Sequence, residues 1–326
     1  MSNDKPKVAF YWCASCGGCE EAVVDLAEDI LKVTEAVDIV FWPVALDFKR
    51  KDVEAMEDGS IAVSFINGAV RLSEQEEMVK LLRKKSGLVV AFGSCSHLGG
   101  IPGLGNFWNK KAIFDYAYLN SPSTDNPEKI VPLEKYNLDG KELELPSFYD
   151  TVYALDQVID VDYYLPGCAP PKDLILNAVN AILEGKLPPK GTVLSPNKSL
   201  CEDCERNDSK PDKLTIKEIK RPSEVEIDPE ECFLAQGIIC MGPATRTGCG
   251  ERCITANMPC RGCFGSTDQV NDQGAKFLSA LASIIETDDE KEIEKLMETV
   301  VDPAGTFYRF SLPASILRRK RMEGVK

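Results

Sequence analysis

Residues 7–20 read KVAFYWCASCGGCE. Val8–Trp12 is an apolar run suited to a strand, Gly17 and Gly18 turn the chain, and a helical spacing then begins. From Glu20 to Val33 apolar residues recur at 23, 26, 27, 30 and 31, which predicts one helix. Moving outward, 37–42 (VDIVFW) predicts a strand ended by Pro43, and 61–66 (IAVSFI) another. A helix is expected over Ser73–Lys85, with Ser73 as N-cap and Glu76 completing a capping box. Residues 88–92 (LVVAF) lie between glycines, as in a central parallel strand. After a long irregular stretch come a strand at 161–165 (VDYYL) and a helix from Pro171 to about Glu184. Such alternation implies βαβ units. The fold class expected is α/β: a flavodoxin-like, doubly wound parallel sheet over residues 1–190.

The chain has 326 residues, with 52 acidic against 38 basic side chains and a net charge of −14. That balance argues against nucleic acid as a partner. No apolar run approaches the ~18 residues of a membrane span. Five non-polar residues before Cys13 are too few for a secretory signal, so a cytoplasmic location is expected. The anomaly is thirteen cysteines beside one histidine. A reducing compartment disfavours disulfides, whereas zinc and iron–sulfur sites take about four ligands each. Thirteen is three fours and one over.

Position divides the thiols. Cys16 and Cys19 follow the first strand, Cys95 follows the strand at 88–92, and Cys168 follows the strand at 161–165. These are carboxyl ends of strands, where open α/β sheets bind their ligands. Gly17, Gly18, Gly93 and Gly167 flank them, and glycine lets backbone approach a bulky group closely. Cys13 also belongs to a C-x2-C-x2-C run with Cys16 and Cys19. Cys13 is the expected spare, because it lies nearest the sheet.

From Lys186 to Lys198 the chain is rich in proline and glycine, which marks a boundary into residues 191–326. Up to Gly265 hydrophobic periodicity almost vanishes, so a loop-rich region held by metal is expected. Eight cysteines crowd there as two fours: Cys201, Cys204, Cys232 and Cys240, then Cys249, Cys253, Cys260 and Cys263. C-x2-C pairs also serve zinc ribbons, so a non-redox zinc scaffold is the competing reading; the wide 232/240 pair favours iron–sulfur. Further on, helices are expected near 274–285 and 288–299, then an irregular aromatic segment at 302–313 and a basic run, Arg318–Arg321.

Cys16-Gly-Gly-Cys19-Glu20, Gly93-Ser94-Cys95 and Pro166-Gly167-Cys168-Ala169-Pro170-Pro171 resemble the elements that hold the proximal cluster in small subunits of [NiFe] hydrogenases. CMGPATRTGCGERCITANMPCRGCFG (240–265) and DPAGTFYRFSLPASI (302–316) are similar to the methyl-viologen-reducing, F420-non-reducing type. The resemblance implies three [4Fe-4S] clusters: proximal on Cys16, Cys19, Cys95 and Cys168; medial on Cys249, Cys253, Cys260 and Cys263; distal on Cys201, Cys204, Cys232 and Cys240. It implies an electron-transfer subunit with no catalytic residue of its own, since hydrogen is split on a [NiFe] large subunit. It also implies an anaerobic, oxidoreductase setting in which electrons pass to a delta-type iron–sulfur subunit and an electron-bifurcating heterodisulfide reductase. The small subunits of F420-reducing hydrogenases and sulfhydrogenases are the near alternatives. The family further suggests a proton path at Glu20, although an acid at a helix start is explained by the helix dipole alone. His97, two residues past Cys95, is expected either to shape the proximal site and carry protons or to be a polar loop residue.

Overall fold

The computed structural model describes residues 5–317, so the basic run Arg318–Arg321 lies outside the described residues. Its nine strands are β1 (Lys7–Trp12), β2 (Asp38–Phe41), β3 (Ile61–Asn67), β4 (Val70–Leu72), β5 (Ser86–Phe92), β6 (Lys135–Leu138), β7 (Lys141–Glu144), β8 (Phe148–Tyr153) and β9 (Tyr163–Leu165). Five of them form one parallel sheet in the order β2-β1-β3-β5-β9. Counted along the chain, that is the flavodoxin order 2-1-3-4-5. Two small antiparallel pairs, β4 with β8 and β6 with β7, stand outside this sheet.

Side chains alternate across the sheet and build two apolar layers. Val8, Phe10, Val63, Phe65, Val90 and Phe92 pack with the helix Lys172–Leu183 and with Val23 and Leu26. Ala9, Ile66, Val89 and Ala91 pack on the other side with Met78, Val79 and Leu82 of the helix Ser73–Lys85. Helices on both faces make the sheet doubly wound, as the alternation of elements predicts. No described helix is long and apolar enough to cross a membrane.

Local details depart from expectation. The helix predicted over 20–33 is two helices, Gly18–Val24 and Asp29–Ala36. Ala27 between them adopts a left-handed φ of 54°, which no helix continues through. Ser73 and Glu76 do not form the expected capping box. Leu72 occupies the N-cap position, and the Gln75 side chain accepts from the amides of Arg71 and Leu72. The Ser73 hydroxyl instead accepts from the Ser147 amide at 3.0 Å. Residues 303–307 of the segment expected to be irregular form a short helix capped by Asp302.

The largest correction concerns residues beyond 190. They have an apolar core of their own: Leu200, Phe233, Ile238 and Ile254 pack with Phe277, Leu281, Phe307 and Leu312. Short turns contribute many of these residues one or two at a time, so the core leaves little periodic signature. Cys232, Cys240 and Cys260 are buried within it.

Hydrogen bonds tie this region to the sheet domain, two of them beside the turn after β5. Ser94 Oγ donates to the Cys263 carbonyl at 2.5 Å, and the Gly100 amide donates to the Phe310 carbonyl at 3.0 Å. Pro313 lies against Gly99 and Gly103, where any Cβ would collide with its ring. Gly99 also needs its φ of +93° to end the helix Ser94–Leu98.

Asp162 locks the sheet edge. Its carboxylate accepts from the Val89 amide (2.8 Å) and pairs with Arg83 and Lys190 (2.5 Å each). Burial alone would raise this carboxyl, but the Lys190 and Arg83 bonds and the Val89 amide outweigh it and hold it below the usual range. A depressed pKa contributes stability above the unfolded value of about 4, and that contribution is lost as pH falls through the folded value. Asp162→Asn is therefore expected to cost roughly 2–3 kcal/mol at pH 7. In thermal melts the gap to the parent should narrow below about pH 4; a gap that stays constant with pH would exclude the ionic role.

Candidate metal centres

The structure brings the thirteen thiols into three groups of four and one outlier. Cys16 lies in the turn after β1 and Cys19 at the start of the helix Gly18–Val24, Cys95 at the start of the helix Ser94–Leu98 that follows β5, and Cys168 in the turn after β9. Each bears on the others: Cys19 senses Cys95, Cys168 and Cys16, and Cys95 senses Cys168 and Cys16. Burial raises Cys19 and Cys168, and brings Cys95 to about 12, with the neighbouring thiols adding to each rise. The Ile101 amide opposes this at Cys95 by donating to its sulfur. The glycines beside them are sterically required. A Cβ on Gly93 would collide with Cys19 Sγ, and one on Gly100 with Cys95 Sγ. Cys16 and Cys168 are exposed, so this group opens to the surface.

Cys201, Cys204, Cys232 and Cys240 line one small cavity with Leu200, Phe233 and Ile254. Burial, reinforced by neighbouring thiols, raises Cys201 to about 11 and Cys240 to about 12. Amides of Gly242 and Cys260 donate to Cys240, and that of Arg206 donates to Cys204. A Cβ on Gly242 would lie 3.1 Å from Cys201 Sγ and 3.7 Å from Cys240 Sγ, so glycine keeps the cradle open.

Cys249, Cys253, Cys260 and Cys263 form the group between these two. Cys263 lies in the field of Cys168 and then of Cys249 and Cys253, and Cys260 in that of Cys240 and then of Cys263. Amides of Glu251 and Gly262 donate to Cys249 and Cys260 respectively. The Cys168 amide donates to Cys263, which joins the first group to this one. The Cys260 amide donates to Cys240 Sγ at 3.3 Å, which joins it to the third. The three groups thus follow one another, each in hydrogen-bond contact with the next.

Cys13 stands apart. It is buried in the opposite apolar layer from Cys19, with its amide on the Asn67 carbonyl. Burial raises its thiol with no contribution from another cysteine.

A mononuclear metal and a polynuclear cluster ask different things of four thiols. A lone zinc draws its sulfurs to about 2.3 Å from one point. The thiols here take amide donors on sulfur, and glycine stands where bulk would intrude. Those features fit a cluster of several irons, whose properties respond to hydrogen bonds at sulfur. Buried thiols crowded together resist ionisation, and a cationic metal core supplies what makes the thiolates stable.

Glu20 is more deeply engaged than an acid at a helix start. It is buried, and its carboxylate accepts from Trp42 Nε1 and, at 2.6 Å, from Asn67 Nδ2. Burial raises its pKa, and the two hydrogen bonds partly oppose this. Ser15 Oγ donates to Asn67 Oδ1 at 3.1 Å, extending the network outward. Trp42 and Asn67 lie 22 and 47 residues from Glu20, and no local pattern pairs them. His97 is not a loop residue. It sits in the helix Ser94–Leu98 with its ring 4.7 Å from that of Tyr164. Burial, aided by Arg246, brings its pKa down to about 3, and Nδ1 has no hydrogen-bond partner.

Comparison with known proteins adds a lineage to this geometry. The family model described as NADH ubiquinone oxidoreductase, 20 Kd subunit, matches residues 16–182. The iron-sulfur subunit of the F420-non-reducing hydrogenase of Archaeoglobus profundus is 42% identical over 318 residues, covering 96% of this chain and 98% of that one. The corresponding F420-non-reducing hydrogenase subunit of Methanothermobacter thermautotrophicus is 38% identical over 321 residues, covering 97% of each. Among solved structures, the [NiFeSe] hydrogenase of Desulfovibrio vulgaris Hildenborough shares the fold. Its TM-score is 0.50 at 18% identity, over 81% of this chain and 94% of that one.

If Cys13 only fills the core, Cys13→Ser should keep the full metal content of the purified protein. Its cost should be confined to stability, about 1–3 kcal/mol for a buried hydroxyl without a partner. Loss of about four irons per chain would make Cys13 a ligand.

Proposed function

Because the chain belongs to the family of F420-non-reducing hydrogenase iron-sulfur subunits, and so to a hydrogenase, an oxidoreductase complex with a large-subunit partner, we propose that it is the electron-transfer subunit. In this reading it carries electrons from the large subunit's hydrogen site to a delta-type iron–sulfur subunit and a heterodisulfide reductase. Three [4Fe-4S] clusters, when bound, supply one-electron storage and transfer.

The observation that carries the proposal is the succession of three four-thiol groups linked by sulfur-directed amides. Cys16, Cys19, Cys95 and Cys168 would hold the proximal cluster, and the exposure of Cys16 and Cys168 would suit a face covered by the large subunit. Cys249, Cys253, Cys260 and Cys263 would hold the medial one. Cys201, Cys204, Cys232 and Cys240 would hold the distal one. Residues 1–190 would form the proximal domain and 191–326 the two-cluster domain. The chain also aims amide donors at sulfur, a lever that sets cluster potentials. Glu20, kept buried by Trp42 and Asn67, is its candidate for handing protons across the subunit face.

Cys249→Ser tests the relay. In the complex, hydrogen-dependent dye reduction should fall by roughly tenfold or more. Hydrogen isotope exchange, which needs only the large subunit's site, should persist. Unchanged dye reduction would refute the relay through the medial group.

A further inference from the structure

The charged side chains around the three groups are not alike. The cavity lined by the distal cysteines is also lined by Arg206 and Lys210. Asn207 Oδ1 accepts from Lys210 Nζ at 2.6 Å and fixes the ammonium, which hydrogen-bonds Cys201. Arg206 is buried, its guanidinium 4.3 Å above the Phe233 ring and bonded to the Ile254 carbonyl and Asn257 Oδ1. Its partners there are neutral. Among the described residues neither cation is paired with a carboxylate. Arg261, beside Arg309, bears first on Cys240 of the distal group and then on Cys253 and Cys260 of the medial one, where Glu251 bears on Cys249. At the proximal group the ionisable neighbour is an acid, Glu20, beside Cys19.

We infer that the fixed charges of this chain make its distal end the most electron-attracting of the three, and that Lys210 is the residue chiefly responsible. The inference rests on the proposed relay. A reduced cluster carries one more negative charge than an oxidised one. A cation held against its ligand stabilises the reduced form in a medium of low dielectric. The proximal group, with an acid and no facing lysine or arginine in its contacts, lacks that help. Each one-electron hop oxidises the donor centre by one electron and reduces the next by one. Hydrogen split at the large subunit supplies the electrons, and its two protons are released from that site. A one-electron iron–sulfur acceptor on a partner removes them. The grading sets hydrogen oxidation as the downhill direction. Lys210 acts through Cys201 and is a positioning residue.

The hydrogenase complex, purified anaerobically, can be titrated stepwise while each cluster is followed by electron paramagnetic resonance. The distal signal is the one lost in Cys204→Ser. In the parent complex the distal signal should be the first to show reduction. In Lys210→Gln its oxidised-to-reduced ratio at the parent midpoint should rise about tenfold, which is about 59 mV for a one-electron couple. The other two midpoints should stay, and Lys210→Arg should restore the parent value. A distal cluster that is not reduced first, or a midpoint unmoved in Lys210→Gln, overturns the inference. Should Lys210→Gln fail to assemble its distal cluster, the reduction order of the parent and the midpoint of Lys210→Arg decide it. A parent complex without three cluster signals would instead overturn the proposed relay itself.

Discussion

Thiolates repel one another, and burying them in protein costs still more. A chain that gathers them in buried or half-buried groups of four must offset that cost with positive charge and with donors aimed at sulfur. The rest of this structure is arranged to meet that demand. The turns after β1, β5 and β9 converge because parallel strands end on one side of the sheet. Gly93, Gly100 and Gly242 stand where a side chain would strike a sulfur or fill the space between two. Amides from Ile101, Arg206, Gly242, Glu251, Gly262, Cys168 and Cys260 point at thiols.

The two parts of the chain stand differently toward that demand. The sheet has two apolar layers that exist without any thiol but Cys13 and Cys19. Beyond residue 190 the apolar core includes Cys232, Cys240 and Cys260, with Cys204 and Cys249 packed on it. There apolar burial and metal coordination would stabilise the same volume, so packing and binding are coupled. Pro313 against Gly99 and Gly103, with Ser94 on the Cys263 carbonyl, fixes the second region on the short helix that carries Cys95.

Much of this is legible in the residues themselves. Strands β1, β3, β5 and β9 are apolar runs of nearly the expected bounds, so the position of Cys16, Cys19, Cys95 and Cys168 just past strand ends can be read from the sequence. Apolar spacing cannot reveal the break at Ala27, since it carries no information about φ. Nor can it reveal the second core, whose members Leu200, Phe233, Ile238 and Phe277 come from scattered turns and one helix. Glu20 reads as an acid at a helix start because its partners, Trp42 and Asn67, approach only when β2 and β3 pair with β1. Lys210 carries no motif, and only the folded cavity places it beside Cys201.

The central claim is that twelve of the thirteen cysteines hold three four-iron clusters. Its most direct test is metal and acid-labile sulfide analysis of the chain purified under strict exclusion of oxygen. The account predicts a brown protein with about 12 iron and about 12 sulfide per chain. A colourless protein that carries zinc and no sulfide would contradict it.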